Sequence, residues 1–442
     1  MKKAACKLTL LAMIFSLGIL GCEHKEKEPL ALSMWHVYGA ETNSPFNMLI
    51  DNFNDTVGKE KGIKIDVKLV SSNKKLHETI ISSSSKNPGA AYLPDMFIAY
   101  PKTIKAIEDK DIFIDFKEKF TEEELKGFIP EFIDEGMIDE RLLVLPVAKS
   151  TEVLFVNRTL FDDFASETGR DISSLQTWEG LYDIAAEYSN FYGGRSFIAN
   201  DDHFGYFETY MTARGEKFIE NGNVNFSDSF KKAWDIYADC ALEGGMWLKN
   251  GYASTPMKTG DAAANLGSSA GVLYFSDKVV DKNNNERDIS WEVFPCPYEE
   301  GGNKLALIRG GGLCAVKSNP EREKAVMEFV KYLLEPKRNT DICVKMGYAP
   351  VTFDATENYL PDRIRLIDDE KYRKVYEAYN EIYSNYDYYI PTTDEKYLAA
   401  EEKFERIIKE FLEAGRIRYL FGRETKEEIK NDILAQLTEI FS

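Results

Sequence analysis

The chain has few of the residues that build metal centres. It contains four histidines and six cysteines in 442 residues. The histidines beyond residue 30 (His36, His77 and His203) are scattered, and no two cysteines form a Cys-x-x-Cys pair. Structural zinc sites need such pairs, or Cys and His ligands at short spacing. The sequence therefore predicts no metal site.

Four cysteines lie beyond residue 30, at positions 240, 296, 314 and 343. Two states are open to them: buried thiols, or one disulfide. Each cysteine has apolar or small neighbours, and free cysteine is among the most buried residue types. These surroundings favour buried thiols.

Positive charge is also in short supply. Lys and Arg number 55 against 74 Asp and Glu, which gives a formal net charge of -19. This balance argues against nucleic acid as a partner, because such binding needs clustered basic residues. The glycine run 310–312 is not followed by the Gly-Lys-Ser/Thr of a phosphate-binding loop. We therefore expect no nucleotide site and no cofactor.

Long apolar runs are absent except at the amino terminus. There, three lysines precede residues 8–19, an apolar run with three interruptions. A membrane-spanning helix needs about 20 apolar residues, so this shorter run predicts an export signal over residues 1–21.

The end of that run resembles the bacterial lipobox. Residues 19–22 read Ile-Leu-Gly-Cys, and the resemblance implies cleavage before Cys22 and attachment of diacylglycerol to its sulfur. The following residues, 23–29, are charged and cannot join a core, so residues 22–30 are predicted to form a tether. The protein would then lie in the cell envelope, anchored by lipid on the extracytoplasmic side of a membrane. The alternative is an ordinary secretory signal with a chance cysteine.

The part after the tether predicts alternating strands and helices. Residues 31–35 and 94–98 are short apolar strands, and residues 63–69 alternate with period two. Helices are predicted between them, from residue 45 and over 74–85. Strands alternating with helices indicate a parallel sheet with helical covers. Further strands are predicted at 142–146, 153–157 and 291–295, and further helices at 177–188, 230–241, 321–334, 396–414 and 425–441.

Five landmarks follow one another along the chain. They are Met34-Trp35-His36 with the helix after it, the segment 145–158, Thr177-Trp178-Glu179-Gly180-Leu181, Gly260-Asp261-Ala262-Ala263, and Gly310-Gly311 followed by Gly347-Tyr348-Ala349-Pro350. In this order they resemble family 1 of the bacterial extracellular solute-binding proteins over nearly the whole chain after the tether. Residues 155–158, Phe-Val-Asn-Arg, depart mildly from the Tyr-Tyr-Asn-Lys usual in that family.

The resemblance implies an α/β fold of two lobes, the type II periplasmic-binding-protein fold, joined by hinge strands that cross between them. The lobes would be discontinuous, with 31–147 and 293–340 forming the amino-terminal lobe and 148–292 and 341–442 the carboxy-terminal lobe. It also implies a non-enzymatic monomer that captures a small molecule by hinge closure. The membrane subunits of an ABC permease would receive the molecule.

The resemblance further places ligand contacts on loops at strand ends, where open α/β sheets bind ligands. By matched position, the candidate ligand-binding residues are His36, Tyr38, Ser150, His203, Phe204, Ser268, Ser269, Gly311 and Tyr348. His203 and Phe204 rest on the loosest match, in a segment that also offers Asp202 and Tyr206 as contacts. Trp35 and most of the tyrosines between residues 376 and 389 are interpreted as core residues.

The predicted ligand is a neutral sugar or oligosaccharide. Sugars stack on aromatic rings and need partners for their hydroxyls, because an unpaired buried polar group costs about 1–3 kcal/mol. Relatives that bind glycerol 3-phosphate use an arginine, a tyrosine and a glutamate. At the corresponding places, 394–397, 71–73 and 100–101, no arginine is present and the other two residues do not match cleanly.

Three alternatives stay open. The first is a binder of glycerol phosphate or another polyol phosphate. The second is a secreted cleft hydrolase such as a glycosidase, which needs a matched pair of carboxylates; no pair stands out. The third is a surface lipoprotein that serves as an adhesin or sensor.

Overall fold

The computed structural model describes residues 28–38, 44–249, 251–391 and 394–441. The predicted signal peptide and Cys22 lie outside the described residues, as does the predicted tether up to residue 27. The last tether residue, Leu30, already belongs to the first strand. None of the helices in these ranges combines the length and the apolar content that a membrane crossing requires.

The strands of the described ranges are mostly short. They are β1 (Leu30–His36), β2 (Ile63–Leu69), β3 (Met96–Ala99), β4 (Met137–Ile138), β5 (Arg141–Leu142), β6 (Ser150–Asn157), β7 (Ile198–Asn200), β8 (Ile219–Glu220), β9 (Asn223–Val224), β10 (Ala264–Ser268), β11 (Lys278–Val280), β12 (Glu286–Asp288), β13 (Trp291–Pro295), β14 (Leu305–Arg309), β15 (Gly312–Ala315) and β16 (Asp387–Tyr389).

The α-helices lie between and after these strands. They are α1 (Pro45–Phe53), α2 (Lys59–Lys61), α3 (Asn73–Ser84), α4 (Pro101–Lys105), α5 (Glu122–Lys126), α6 (Pro130–Gly136), α7 (Arg158–Thr168), α8 (Trp178–Phe191), α9 (His203–Ala213), α10 (Asp228–Glu243), α11 (Ser254–Thr259), α12 (Pro320–Leu334), α13 (Pro336–Met346), α14 (Leu360–Ile364), α15 (Glu370–Asn385), α16 (Glu395–Leu420) and α17 (Lys426–Phe441). Short 3-10 helices occur at Lys110–Ile112, Phe116–Glu118, Ile172–Gln176 and Ser269–Tyr274, and π-helical turns at Asn54–Gly58 and Ala355–Tyr359.

The first sheet has the strand order β15-β3-β1-β2. β1 pairs in parallel with β2 and β3, and β15 runs antiparallel to β3. Between β1 and β2, α1 turns Phe46, Leu49, Ile50 and Phe53 into the core, as their helical spacing predicts. The predicted β-α-β-α-β order with a parallel sheet is confirmed. We call the part built on this sheet the first lobe.

The second sheet has the strand order β16-β14-β6-β10-β7, with β13 also paired to β6. β6 runs antiparallel to β10, β13 and β14, and all eight of its residues are buried. Helices α8, α9, α10, α16 and α17 supply buried side chains to the core around this sheet. We call this part the second lobe.

Two segments of the chain cross between the two sheets, and a third segment, whose ends lie in the first lobe, packs against them. Residues 145–150 pair with the first sheet at Leu145 and then enter β6. Residues 309–312 leave β14 and enter β15. Residues 347–351 pair with the first of these segments through Ala349. We call these the crossing segments; they give the two-lobed fold that the resemblance implies.

The predicted lobe boundaries fall inside single elements. The boundary at residue 293 lies within β13, whose five residues all pair with β6. The boundary at residue 340 lies within α13, which places Ile342 and Cys343 in the core of the first lobe. The boundaries stay a prediction that these two elements can refine.

The residues interpreted as core are found in the core. The four cysteines are buried and free, which confirms the prediction of buried thiols. Trp35 is 5% exposed. Of the tyrosines between residues 376 and 389, Tyr376, Tyr379 and Tyr386 are buried.

Candidate ligand-binding cleft

The loop ends of the two sheets lie at the crossing segments. In the first sheet, β1 ends at His36 and β15 begins at Gly312. In the second sheet, β10 ends at Ser268 and β14 ends at Arg309, at the edge where the antiparallel β6 begins. Open α/β sheets bind ligands at the carboxyl ends of their strands. Both lobes therefore present such an edge at the place where the chain crosses between them.

A tyrosine pair joins the first lobe to a crossing segment. The rings of Tyr38 and Tyr348 lie with their centroids 5.7 Å apart at 76°, in an edge-to-face contact. Tyr38 also meets Phe46 edge-to-face at 5.2 Å. Burial raises the pKa of both Tyr38 and Tyr348 above the usual phenol value, so both hydroxyls stay neutral donors. Among the described residues the Tyr38 hydroxyl makes no hydrogen bond of ordinary geometry, and the Tyr348 hydroxyl is the side-chain group close enough to interact with it.

His36 is fully buried beside this pair. Its Nδ1 accepts a hydrogen bond from the Tyr38 backbone N–H at 3.1 Å, which assigns the proton of the neutral ring to Nε2. Burial lowers the pKa of His36 to about 4. Within the described part of the chain Nε2 makes no hydrogen bond of ordinary geometry, although the Asn47 side chain is close enough to act against the fall in the pKa of the ring. His36 therefore presents a neutral N–H.

Ser150, Ser269 and Tyr348 line one small pocket, together with Thr151 and Tyr388. The free space inside it is about 10 Å³, which is close to what one water needs. The Ser269 hydroxyl donates to the Gly347 carbonyl at 2.8 Å. A sugar ring does not fit among these residues unless the lobes move apart.

Gly311 lies where backbone from the first lobe comes close. A Cβ at this position would lie 3.0 Å from the Ala99 carbonyl oxygen, so a side chain would press on β3. Its neighbour Gly310 has φ +98°, a conformation that favours glycine. Ser268 has a local role, since its hydroxyl accepts from the Ala270 N–H at 3.3 Å and caps the 3-10 helix after β10.

Arg309 forms the charged centre of the second-lobe edge. Its guanidinium donates to Glu152 of β6 at 2.8 Å and to Asp202 at 2.6 Å. Asp202 also caps α9, where it accepts from the Gly205 N–H at 2.8 Å. Glu152 is 1% exposed. The arginine is therefore held by two carboxylates from different elements.

Burial determines the charge states of this group. It raises the pKa of Glu152 to about 7, against the opposing effect of Arg309, and it raises the pKa of Asp201 as well. Burial acts to lower the pKa of Arg309, but Glu152 and Asp202 raise it above its ordinary value. On α16, burial and Asp202 raise the pKa of Glu401 to about 7, while Lys102 of the first lobe acts in the opposite direction. The second-lobe edge is thus rich in carboxylates.

His203 and Phe204 are placed elsewhere. Both are 2% exposed and belong to the core of the second lobe. The Phe204 ring packs on Phe218 at 4.7 Å and on Phe404 at 5.9 Å, and the His203 Nδ1 contacts the Tyr237 hydroxyl. The first turn of α9 directs these side chains inward, whereas the preceding Asp202 bonds to Arg309. The structure thus places both side chains in the core of the second lobe, and their contact with a ligand stays a prediction.

The sequence analysis missed Arg309 and Glu152, whereas Asp202 belongs to the same loosely matched segment as His203. Arg309 directly precedes the glycine run 310–312. A charged residue next to that landmark was a usable signal. The pairing between positions so far apart was not.

The family model for bacterial extracellular solute-binding proteins matches residues 49–364, most of the chain. The chain belongs to this family. It is thus an extracellular solute-binding protein, as the ordered landmarks implied. No curated protein matches it in sequence.

Solved structures of similar fold carry several kinds of solute. UgpB from Mycobacterium tuberculosis in complex with glycerophosphocholine matches with a TM-score of 0.68 at 16% identity, covering 94% of this chain and 98% of that chain. Maltose-bound MalE3 of T. maritima matches with a TM-score of 0.64 at 16% identity, covering 93% and 100%. A solute-binding protein of Agrobacterium radiobacter K84 in complex with ribitol matches with a TM-score of 0.57 at 15% identity, covering 93% and 99%. At these identities the likeness shows the fold of this solute-binding protein and leaves its solute open.

Proposed function

We propose that this solute-binding protein captures a neutral carbohydrate between its lobes and delivers it to the permease of an ABC importer. The observation that carries the proposal is the cleft edge itself. Aromatic rings and uncharged hydrogen-bonding groups gather there, on two lobes that the crossing segments connect. Hinge closure follows from this geometry, because a ligand that touches both lobes binds the closed state preferentially.

The uncharged groups suit hydroxyl ligands. Tyr38 and Tyr348 offer ring surface and neutral hydroxyls, and His36 offers a neutral N–H. Sugar hydroxyls need such donors and acceptors, and sugar C–H faces stack on rings. Ser150 and Ser269 line one pocket with Tyr348.

The charged groups argue against a phosphoester. An anionic ligand would have to displace Glu152 or Asp202 from Arg309, and it would approach further carboxylates. They also argue against a glycosidase, because Glu152 and Asp202 share one guanidinium instead of facing an open space as an acid and its partner.

A thermal-shift screen tests the solute. We expect a neutral mono- or oligosaccharide to raise the melting temperature, because a ligand at about 100 times its Kd adds roughly 2.7 kcal/mol to the stability of the folded state. Tyr348→Ala should reduce this shift, whereas Tyr92→Ala, at a tyrosine 97% exposed on the first lobe, should keep it.

The other outcomes of the screen are equally informative. A shift with glycerol phosphates and none with sugars would show that the neutral-carbohydrate proposal is wrong. Cleavage of an added oligosaccharide would show a hydrolase. Equal loss of the shift in both tyrosine variants would remove Tyr348 from the site.

Anchoring through Cys22 belongs to the same proposal and has its own test. Cells that express the chain and are fed a labelled fatty acid should label the wild-type protein and leave Cys22→Ser unlabelled. Cys6→Ser is the matched control, since Cys6 lies inside the predicted leader, and this variant should label normally. Labelling of Cys22→Ser would contradict the anchor.

A further inference from the structure

Lys149 is a charged residue at a buried position of the first crossing segment. It is 1% exposed and directly precedes β6. Buried lysines are rare unless their charge is paired. Its partners lie in the crossing segments and in the first lobe, next to the place where a hinge between the lobes would be.

The backbone of Lys149 ties two crossing segments together. Its N–H donates to the Ala349 carbonyl at 3.1 Å, and its carbonyl accepts from the Ala349 N–H at 2.5 Å. This reciprocal pair is a bridge between residues 145–150 and residues 347–351.

The side chain of Lys149 reaches the remaining crossing segment, residues 309–312, and the first lobe. Its Nζ donates to the Gly310 carbonyl at 2.8 Å and forms an ion pair with Glu135 of α6, which is also buried. Lys149 therefore contacts all three crossing segments and one helix of the first lobe.

The contact with Gly310 fixes the direction of a peptide group. In a planar trans peptide the C=O and the following N–H point in opposite directions. The Gly310 carbonyl points at Lys149, so the Gly311 N–H points away from it. Among the described residues, no hydrogen bond of the Gly311 N–H is found. Gly310 has φ +98°, so few other residues could hold this peptide orientation.

We propose that Lys149 is a positioning residue: it holds the three crossing segments in register and directs the Gly311 N–H into the cleft. Glu135 keeps the ammonium in place. A buried ion pair is a poor source of stability compared with apolar side chains of similar size, so its use here is explained by the geometry that it imposes. The part of this proposal that concerns the ligand rests on the proposed function.

The test compares the wild type with the double variant Glu135→Leu and Lys149→Met. Removing both charges avoids an unpaired buried ion, so the fold should persist. If this variant does not fold, Glu135→Gln with Lys149→Gln replaces it, since the shorter amide keeps polarity but does not reach Gly310. Lys331→Met is the matched control, because Lys331 pairs with Glu124 at an exposed position of the first lobe.

The first measurement needs no ligand. Hydrogen–deuterium exchange should be at least tenfold faster in the crossing segments of the double variant, with β10 of the second sheet unchanged. General destabilisation would accelerate both regions together. Wild-type exchange rates in the crossing segments, or equal acceleration in β10, would overturn the proposal.

The second measurement uses the sugar that gives the largest shift in the thermal screen. We expect its Kd to weaken about tenfold in the double variant and to stay unchanged in Lys331→Met. Wild-type affinity in the double variant would overturn the role in directing Gly311. If no solute binds the wild-type protein, the proposed function fails, while the exchange measurement still decides whether Lys149 holds the crossing segments.

Discussion

Replacing Arg309 with methionine is expected to destabilise the folded protein by about 3 kcal/mol at pH 8, since breaking a buried ion pair by removing one partner typically costs this much. The variant leaves Glu152, which is 1% exposed, and Asp202 without their shared cation. It should also lose solute binding, because Asp202 and the end of β14 are no longer held together. Urea unfolding followed by circular dichroism measures the first effect, and titration calorimetry the second.

The loss should depend on pH in a defined direction. Burial raises the pKa of Glu152 from 4.5 to about 7 in the folded protein. Between these values the folded state holds more protons than the unfolded state, so the unfolding free energy falls as the pH rises. Arg309 lowers the pKa of Glu152 in the wild type. Its removal therefore raises this pKa and extends the window above pH 7. The unfolding free energy of the variant should therefore lie further below that of the wild type at pH 8 than at pH 5, where Glu152 is protonated in both and only the loss of the Asp202 contact remains.

The matched control for this experiment is Arg365→Met. Arg365 pairs with Asp362 in a salt bridge whose two side chains are each 77% exposed, and exposed pairs contribute about 0–1 kcal/mol. The loss of stability in Arg365→Met should be small at both pH values. A loss at Arg309 of the same size at pH 5 and pH 8 would contradict the charge assignment of Glu152.

Replacing Gly347 with alanine is the second change with a large expected effect. Gly347 has φ +73°, and a Cβ there would lie 2.7 Å from Val272 Cγ1 and 2.8 Å from the Ser269 carbonyl oxygen. The left-handed conformation costs roughly 1–2 kcal/mol and the overpacking about 1–3 kcal/mol, so we expect a loss of about 3 kcal/mol. Affinity should also fall at least tenfold, because the backbone that carries Tyr348 must shift.

Gly169→Ala separates the two causes. Gly169 has the same φ of +73°, and a Cβ there meets nothing within 4 Å. This variant should lose only the stability that the left-handed conformation costs, roughly 1–2 kcal/mol. It should keep its affinity for the solute. If the two variants lose the same stability and bind equally well, the close contact of Gly347 with Ser269 has no role in the cleft.

Elements whose signals lie within one helical turn could be predicted from the sequence. The Thr177 hydroxyl accepts from the Gly180 N–H and caps α8, at the start of the helix predicted over residues 177–188. Thr121 and Glu124 form a capping box at the start of α5. In each case the residues that decide the structure are three positions apart, so no distant contact is needed.

Elements that depend on distant partners could not be predicted in this way. The pattern of residues 142–146 predicts a strand. In the structure β5 ends at Leu142, and residues 145–146 belong to a crossing segment. β16 lies among tyrosines interpreted as core residues, and its conformation depends on pairing with β14. The apolar pattern of a short segment indicates whether that segment is buried, but it does not specify which strand pairs with it.

The candidate site shows the same limit. Tyr38, Ser150 and Tyr348, to which the family's motifs point, each lie at a strand end or in a crossing segment, and their contact with a ligand stays a prediction. Arg309 and Glu152 come from strands that become neighbours only in the folded sheet. Their ion pair, and therefore the charge of the cleft, depends on topology and not on sequence spacing.

The four buried thiols have a consequence for the life of the protein outside the cytoplasm. Burial raises the pKa of Cys314 and of Cys343 far above the ordinary thiol value, so little thiolate forms and oxidants find no reactive sulfur. Within the described part of the chain, these four thiols therefore stay unreacted in reducing and oxidising surroundings once the protein is folded. They are open to wrong cross-links while the chain is unfolded, so that period of risk ends when the two cores close.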